Sequence, residues 1–392
     1  MGANGETVIK ILHVVMALDV GGLETWLLKV LQNLDHRRFQ IDILVHYPEK
    51  GLLEDQAAEL SKVLRLPHLS NPLYYAREFR QLLLEHGPYQ VVHSHLALGG
   101  FHLRWAHQVG VPARIVHTHS DEDQRAHHLS LPRRLARKVS HHQIRCHATV
   151  GLAVSRQAAQ GRFGPHWQDD PRFQILPCAI PLDAFTGGVD RSSVRQALNL
   201  PESAFVMGHV GRFVPEKNHD LLIEIAAEVC QRLPEVYLLL VGDGPLHQQL
   251  EDKVQSLGLT TRVVFLGFRH DVPEILRGAM DLFLFPSRYE AAPVAVMEAQ
   301  AAGLPCVIAD TIPEEVVVIP ELVQRVSLNA GPGGWVEAVL DARSNTTAMT
   351  PFDAAGRMRG TLLDLDANVR HLEALYMIGQ RIDCRPIDDE IR

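Results

Sequence analysis

Short apolar, β-branched runs alternate along this chain with longer stretches whose apolar residues recur at helical spacing. That alternation is the pattern of βαβ units and parallel sheets. In the first half it predicts strands at Ile9–Met16, Phe39–Val45, Val63–Leu66, Val91–His93, Arg114–His117 and Ala148–Val154. Helices are predicted at Glu24–Leu34, Ala76–His86 and Phe101–Gln108. The alternation resumes with strands at Phe205–His209, Tyr237–Val241, Val263–Phe265, Leu282–Phe285 and Cys306–Ala309. The helices of this half are predicted at His219–Leu233, Leu246–Leu257 and Val294–Ala302, with a closing helix at Ala367–Ile378. Between the halves, residues 169–200 carry Pro171, Pro177, Pro181, Gly187 and Gly188 with little periodicity, and read as a linker. The expectation is an α/β protein of two doubly wound parallel-sheet domains, 1–185 and 186–365, with a tail, 366–392, that folds back on the first. Ligands of such sheets sit outside the carboxyl ends of the strands, here in a cleft between the domains.

Length and charge narrow the class. The 392 residues suit two domains. A net charge of −8 argues against a nucleic-acid partner, which calls for a basic balance. The acidic excess is uneven: residues 124–168 hold no Asp or Glu, and Arg125, Arg133, Arg134, Arg137, Lys138, Arg145, Arg156 and Arg162 fall there. The 125–145 stretch serves either anionic lipid headgroups, as a peripheral contact at the inner face of a membrane, or solvent. Five scattered cysteines with no C-x-x-C favour neither a disulfide framework nor a zinc site and fit a reducing cytoplasm. The apolar run Val8–Leu18 is too short to span a bilayer and lacks the flanks of a signal peptide.

Five motifs fall at predicted strand ends. In Gly208–Asn218 (GHVGRFVPEKN), Arg212 and Lys217 follow Gly211 in a turn that opens a helix. Two cations beside a helix N-terminus suit a diphosphate, or are solvated charges; Asn218 suits an N-cap. In Pro286–Cys306, Glu290 lies in the loop after an apolar strand. Pro293 suits the first helical turn, Val294 begins a run of free amides, and Glu298 sits in an apolar helix. Val241–Leu246 (VGDGPL) offers Gly242 and Gly244 as a tight turn facing a nucleotide, but His247 stands where a dinucleotide fingerprint needs a third glycine. Gly21 and Gly22 permit close backbone approach at the head of the first helix. His93, His95, His117 and His119, with Ser120, form two alternating sets at strand ends. Each reads as a polar wall facing an acceptor or as hydrogen-bonded structural histidine; no carboxylate or cysteine at ligand spacing completes a metal site. The acidic pairs Asp121/Asp123 and Asp364/Asp366 read as solvated surface.

Together the G-R-x(4)-K-N run at Gly211–Asn218 and the E-x(7)-E pair Glu290/Glu298 resemble retaining glycosyltransferase family 4, of GT-B fold. His13-Val-Val-Met16, Gly21-Gly22, Val92–His95, His117–Ser120, Gly267-Phe268, Asp271 and Asp310-Thr-Ile312 resemble its exopolysaccharide and capsular-polysaccharide branch. The resemblance spans about residues 8 to 320. It implies transfer of a sugar from a nucleotide-diphosphate donor, a uridine nucleotide at family level, to a glycan or polyprenyl-diphosphate-linked acceptor, with no cofactor and no metal. Arg212 and Lys217 would hold the diphosphate and Glu298 the ribose; Glu290 would face the donor sugar and Phe268 would border the base. Gly22 would approach the phosphates and His119 the reacting centre. One departure is Ala291, where the family has glycine after the first glutamate; alanine is strained there only if φ is positive. A GT-B epimerase or phosphorylase and a non-catalytic sugar-nucleotide-binding protein are the competing readings, and a NAD-dependent oxidoreductase the weakest.

Overall fold

A computed structural model describes residues 8–67, 71–120, 130–345 and 349–378. The acidic pair Asp121/Asp123 and Arg125 lie outside them. Contacts divide the chain into two units, one of residues 1–178 with 365–392 and one of residues 179–364.

The first unit is a seven-stranded sheet in the order β3-β2-β1-β4-β5-β6-β7, with every pairing parallel. Its strands are β1 (Ile9–Val14), β2 (Phe39–Val45), β3 (Lys62–Arg65), β4 (Val91–Ser94), β5 (Ala113–Thr118), β6 (Val150–Ala153) and β7 (Phe173–Ile175). Strands β1, β4 and β6 are buried nearly throughout, as expected of a sheet with helices on both faces. β7 corrects the linker reading: Pro171 and Pro177 bracket a three-residue edge strand paired to β6, and proline is tolerated at a sheet edge. The helix Leu365–Ile378 also packs here, on the helix Gly22–Asn33. Trp26 joins the two through Nε1–H to Asn368 Oδ1 at 3.1 Å, and Asn368 Nδ2 donates to the Pro177 carbonyl at 3.0 Å.

The second unit is a six-stranded parallel sheet in the order β10-β9-β8-β11-β12-β13. The strands are β8 (Phe205–Val210), β9 (Val236–Val241), β10 (Val263–Phe265), β11 (Leu282–Phe285), β12 (Cys306–Ala309) and β13 (Val323–Val326). The apolar run Leu282–Phe285 is fully buried at the centre. β13 escaped the pattern because Gln324 and Arg325 interrupt its apolar residues on an edge. Asp364 is buried, not solvated: its carboxylate accepts the Gly360 N–H at 2.9 Å.

In each sheet the strand order reverses once, between β1 and β4 and between β8 and β11. Such switch points leave a crevice at the strands' carboxyl ends, and the motifs gather there. Among the described residues no helix is long and apolar enough to cross a membrane.

Candidate active site

At the switch point of the second unit, β8 ends at Val210 and the chain turns through Gly211, Arg212 and Phe213 into a short 3-10 turn, Pro215–Lys217. Lys217 Nζ lies 2.5 Å from Glu290 Oε1, with both side chains mostly buried, and 4.9 Å from the centre of the Phe285 ring. Arg212 is exposed, and no ion pair of its guanidinium occurs among the described residues. The loop after β8 is tied to the loop after β11: Arg288 N–H donates to the Glu216 carbonyl at 2.8 Å. Asn218 is left-handed (φ 56°, ψ 43°), and its side chain does not cap the helix His219–Arg232. Instead Asn218 Nδ2 donates to the Pro286 carbonyl at 3.2 Å and its Oδ1 accepts from Arg288 Nη2 at 3.2 Å. Its role is to lock two loops together rather than to cap one helix.

Gly242 and Gly244 supply the floor. Gly242 has φ +133°, and a Cβ there would lie 2.1 Å from the Gly211 carbonyl oxygen; one at Gly244 would lie 2.6 Å from that of Phe213. Backbone bonds from Phe213 N–H to the Asp243 carbonyl and from Gly211 N–H to that of Val241 (each 2.9 Å) hold the two turns together. Beyond them Gly267 (φ +64°) turns the chain so that Phe268 stands half-exposed.

Glu298 lies in the second turn of the helix Val294–Ala301, which Pro293 precedes as N-cap without a side-chain cap bond. Its side chain is mostly buried, and that burial pushes its pKa up to about 7. Gln300 anchors that helix. Its Nε2 donates to the Val296 and Val316 carbonyls (3.0 and 2.7 Å), and its Oε1 accepts from Val318 and Ile319 N–H (2.9 and 3.0 Å). Ala291 is not strained: the non-glycine residues with positive φ among the described residues are Asn199 and Asn218.

The first unit gathers the histidines. His13 sits opposite His93 in the β1–β4 register. His13, His93 and His117 are fully buried and His95 is 7 % exposed, so they do not form a surface wall; His119 alone of the set is partly exposed, beside Ser120. Gly22 is exposed at the start of its helix, and a Cβ on Gly21 would meet the Glu24 carboxylate at 2.4 Å. Sequence reasoning passed over three partners of this cluster, namely Trp26, Cys178 and Tyr376. Trp26 packs edge-on against His117. The one available signal was His13, one residue before the end of β1.

Residues 190–345 match the family described as Glycosyl transferases group 1, and residues 21–162 the Glycosyl transferase 4-like domain. The glycosyltransferase EpsF of Bacillus subtilis (strain 168) is 32 % identical over 338 residues, 85 % of this chain and 87 % of that one. An Escherichia coli enzyme named UDP-Gal:alpha-D-GlcNAc-diphosphoundecaprenol alpha-1,3-galactosyltransferase is 26 % identical over 77 % of this chain and 79 % of its own. Among solved structures, Anabaena HepE in complex with UDP superimposes with a TM-score of 0.77 at 20 % identity, over 94 % of this chain and 100 % of that one. With both halves matched and a relative this similar along most of its length, the chain belongs to glycosyltransferase family 4 and is a GT-B glycosyltransferase of glycan biosynthesis.

Proposed function

We propose that this protein moves a sugar from a UDP-sugar to a lipid-diphosphate-linked or glycan acceptor, with retention of anomeric configuration and without a metal ion. The observation that carries the reading is the cation pair Arg212 and Lys217 at the sheet's switch point, with Glu290 bonded to Lys217 at 2.5 Å and Glu298 in the adjacent helix. As the sugar leaves, negative charge grows on the β-phosphate. Fixed cations and the free amides at the start of Val294–Ala301 would stabilise it without rearranging. In this reading they supply the charge that a divalent ion supplies in other transferases. Glu298 would accept from the ribose hydroxyls, Glu290 would contact the donor sugar and Phe268 would border the base. His119 would meet substrate from the first unit. No side chain stands out as a covalent nucleophile, so we favour same-face attack in which the leaving phosphate takes the acceptor's proton. The galactosyltransferase relative, whose name gives a UDP-sugar donor, a diphosphoundecaprenol-linked acceptor and an α-1,3 product, supports the substrate classes.

The deciding experiment is a thermal-shift panel of nucleoside diphosphates and nucleotide sugars, with and without EDTA, on the wild type and Lys217→Ala. The expected result is stabilisation by UDP and a UDP-sugar that EDTA does not alter and that Lys217→Ala abolishes. With a responding donor, Lys217→Ala should lower kcat/KM about 10²- to 10³-fold, the cost of removing one preorganised charge partner. No shift with any nucleotide, or a shift only with added metal, contradicts the proposal. An inverted product by NMR contradicts the retaining assignment.

A second element of the proposal concerns the membrane. The helix Leu131–His147 exposes Leu131, Leu135 and Val139 at four-residue spacing, flanked by exposed Arg133, Arg134 and Lys138. An apolar stripe between cations suits an anionic bilayer surface. Arg162 does not belong to that set: it is buried and donates to the Leu96 and Ala97 carbonyls.

A further inference from the structure

The buried histidines of the first unit are joined head to tail. Cys178 Sγ lies 3.5 Å from His119 Nδ1, and His119 Nε2 lies 2.9 Å from His95 Nδ1. His95 Nε2 lies 2.9 Å from His13 Nδ1, and His13 Nε2 lies 3.2 Å from the Tyr376 hydroxyl. That hydroxyl also lies 3.1 Å from His93 Nδ1. The far nitrogen of His93, Nε2, is fully buried and has no hydrogen-bond partner among the described residues. Burial holds every imidazole of the chain neutral. His13 is lowered to about 3, and His93, His95 and His119 fall well below the ordinary value, with neighbouring imidazoles and, at His119, Arg162 adding to the effect.

A neutral imidazole has one N–H and one lone pair. In a head-to-tail chain, choosing the proton's place on one ring therefore chooses it on all. Two polarities run the whole length, and a third arrangement, in which His13 and His93 both donate to the Tyr376 oxygen, leaves the buried Tyr376 O–H without an acceptor. If every proton sits on Nε2, His93 is left with a buried N–H and no acceptor. If every proton sits on Nδ1, His93 Nδ1–H donates to Tyr376, the Tyr376 O–H donates to His13 Nε2, and only a bare lone pair is left over. A buried orphan N–H is the rarer and costlier remainder. The same preference is visible where a carbonyl dictates the tautomer. His117 Nε2 donates to the Leu176 carbonyl and leaves an unpaired Nδ1, and His209 Nδ1 donates to that of Leu284 and leaves an unpaired Nε2.

We propose that Tyr376 and His93 are positioning residues that set, through His13 and His95, the tautomer of His119, so that His119 presents its Nδ1–H as a hydrogen-bond donor and does not serve as a base. His119 Nε2 is occupied by His95, while Nδ1–H faces, among the described residues, only the weak sulfur acceptor of Cys178. A substrate oxygen is a better acceptor than sulfur and would compete for that proton. The residue that fixes this partly exposed histidine of the candidate site is thus Tyr376, on the helix Leu365–Ile378 and more than 250 positions away in the chain. The functional half of this inference rests on the reading that His119 meets substrate; the tautomer half does not.

The test is long-range proton–nitrogen NMR on the full chain with ¹⁵N-labelled histidine, assigned with His119→Gln and His95→Gln. In the wild type, His13, His95 and His119 should all show the Nδ1–H form. In Tyr376→Phe, the three should become tautomer mixtures. Finding the Nε2–H form, or a mixture, in the wild type overturns the proposal whether or not the variant folds. So does a transition metal present at one per chain in the purified protein, because the rings would then be metal ligands. Turnover separates the two halves. Tyr376→Phe should lower kcat about tenfold, the rate equivalent of one hydrogen bond, with donor KM unchanged. Altered tautomers with unaltered kcat would remove His119 from the reaction and leave the chain intact. A change in kcat with unaltered tautomers would sink the relay.

Discussion

Glu298 carries opposed demands. A carboxylate able to accept from a ribose must be charged, yet burial raises its pKa from 4.5 to about 7. The folded protein therefore binds this proton more tightly than the unfolded chain. Its contribution to stability is full below pH 4.5 and is lost as pH rises through 7. Glu298→Gln should stabilise the protein without nucleotide by about 3 kcal/mol at pH 8 and by almost nothing at pH 4, measured by urea unfolding. The same variant should weaken UDP binding by about ten- to a hundredfold, the worth of hydrogen bonds to a charged acceptor. A variant no more stable at pH 8 than the wild type would mean that the carboxylate is better solvated than its surroundings imply. Glu298 was legible in the sequence because an acid stood alone among alanines, valine and methionine. The environment of His95 was not: alternation put it on a strand end, and only the neighbouring strands and Trp26 decided that it is buried.

Turns, rather than strands, hold the candidate donor residues in place. The loops after β8, β9 and β11 are bonded to one another through Gly211, Phe213, Asn218 and Arg288. Gly242 is the tightest of these contacts, since its φ of +133° and the Gly211 carbonyl 2.1 Å from a virtual Cβ both exclude a side chain. Gly242→Ala should cost about 3 kcal/mol and abolish the nucleotide-induced thermal shift. Retention of both would show that the turn can rearrange. The strands of the central sheets were readable because buried parallel strands are continuous apolar runs. The edge strands β7 and β13 were not, because a strand paired on one side tolerates proline and charge. Asn218 does hold the N-cap position its spacing suggested, but its side chain bonds to Pro286 and Arg288 instead of the helix, which spacing alone does not show.

Across the whole molecule the charge distribution bears on where the protein works. The chain is acidic overall, but the helix Leu131–His147 presents cations and three exposed aliphatic side chains together. Leu135→Glu should lower sedimentation with anionic vesicles at low salt by about tenfold, consistent with loss of one buried aliphatic group and addition of a repelled charge. Absence of wild-type binding under those conditions would assign the helix face to solvent.

By itself the sequence determined two parallel-sheet halves, the family, and the order of Arg212, Lys217, Glu290 and Glu298. Those features depend on local period, strand ends and short-range spacing. Only the tertiary structure decided that Lys217 pairs with Glu290 across 73 residues, that Gln300 anchors the helix bearing Glu298, and that Tyr376 closes a chain of imidazoles begun on β1. The reason is physical. Periodicity records which face of an element is apolar, whereas a hydrogen bond between distant elements depends on strand order and register, which no local window contains.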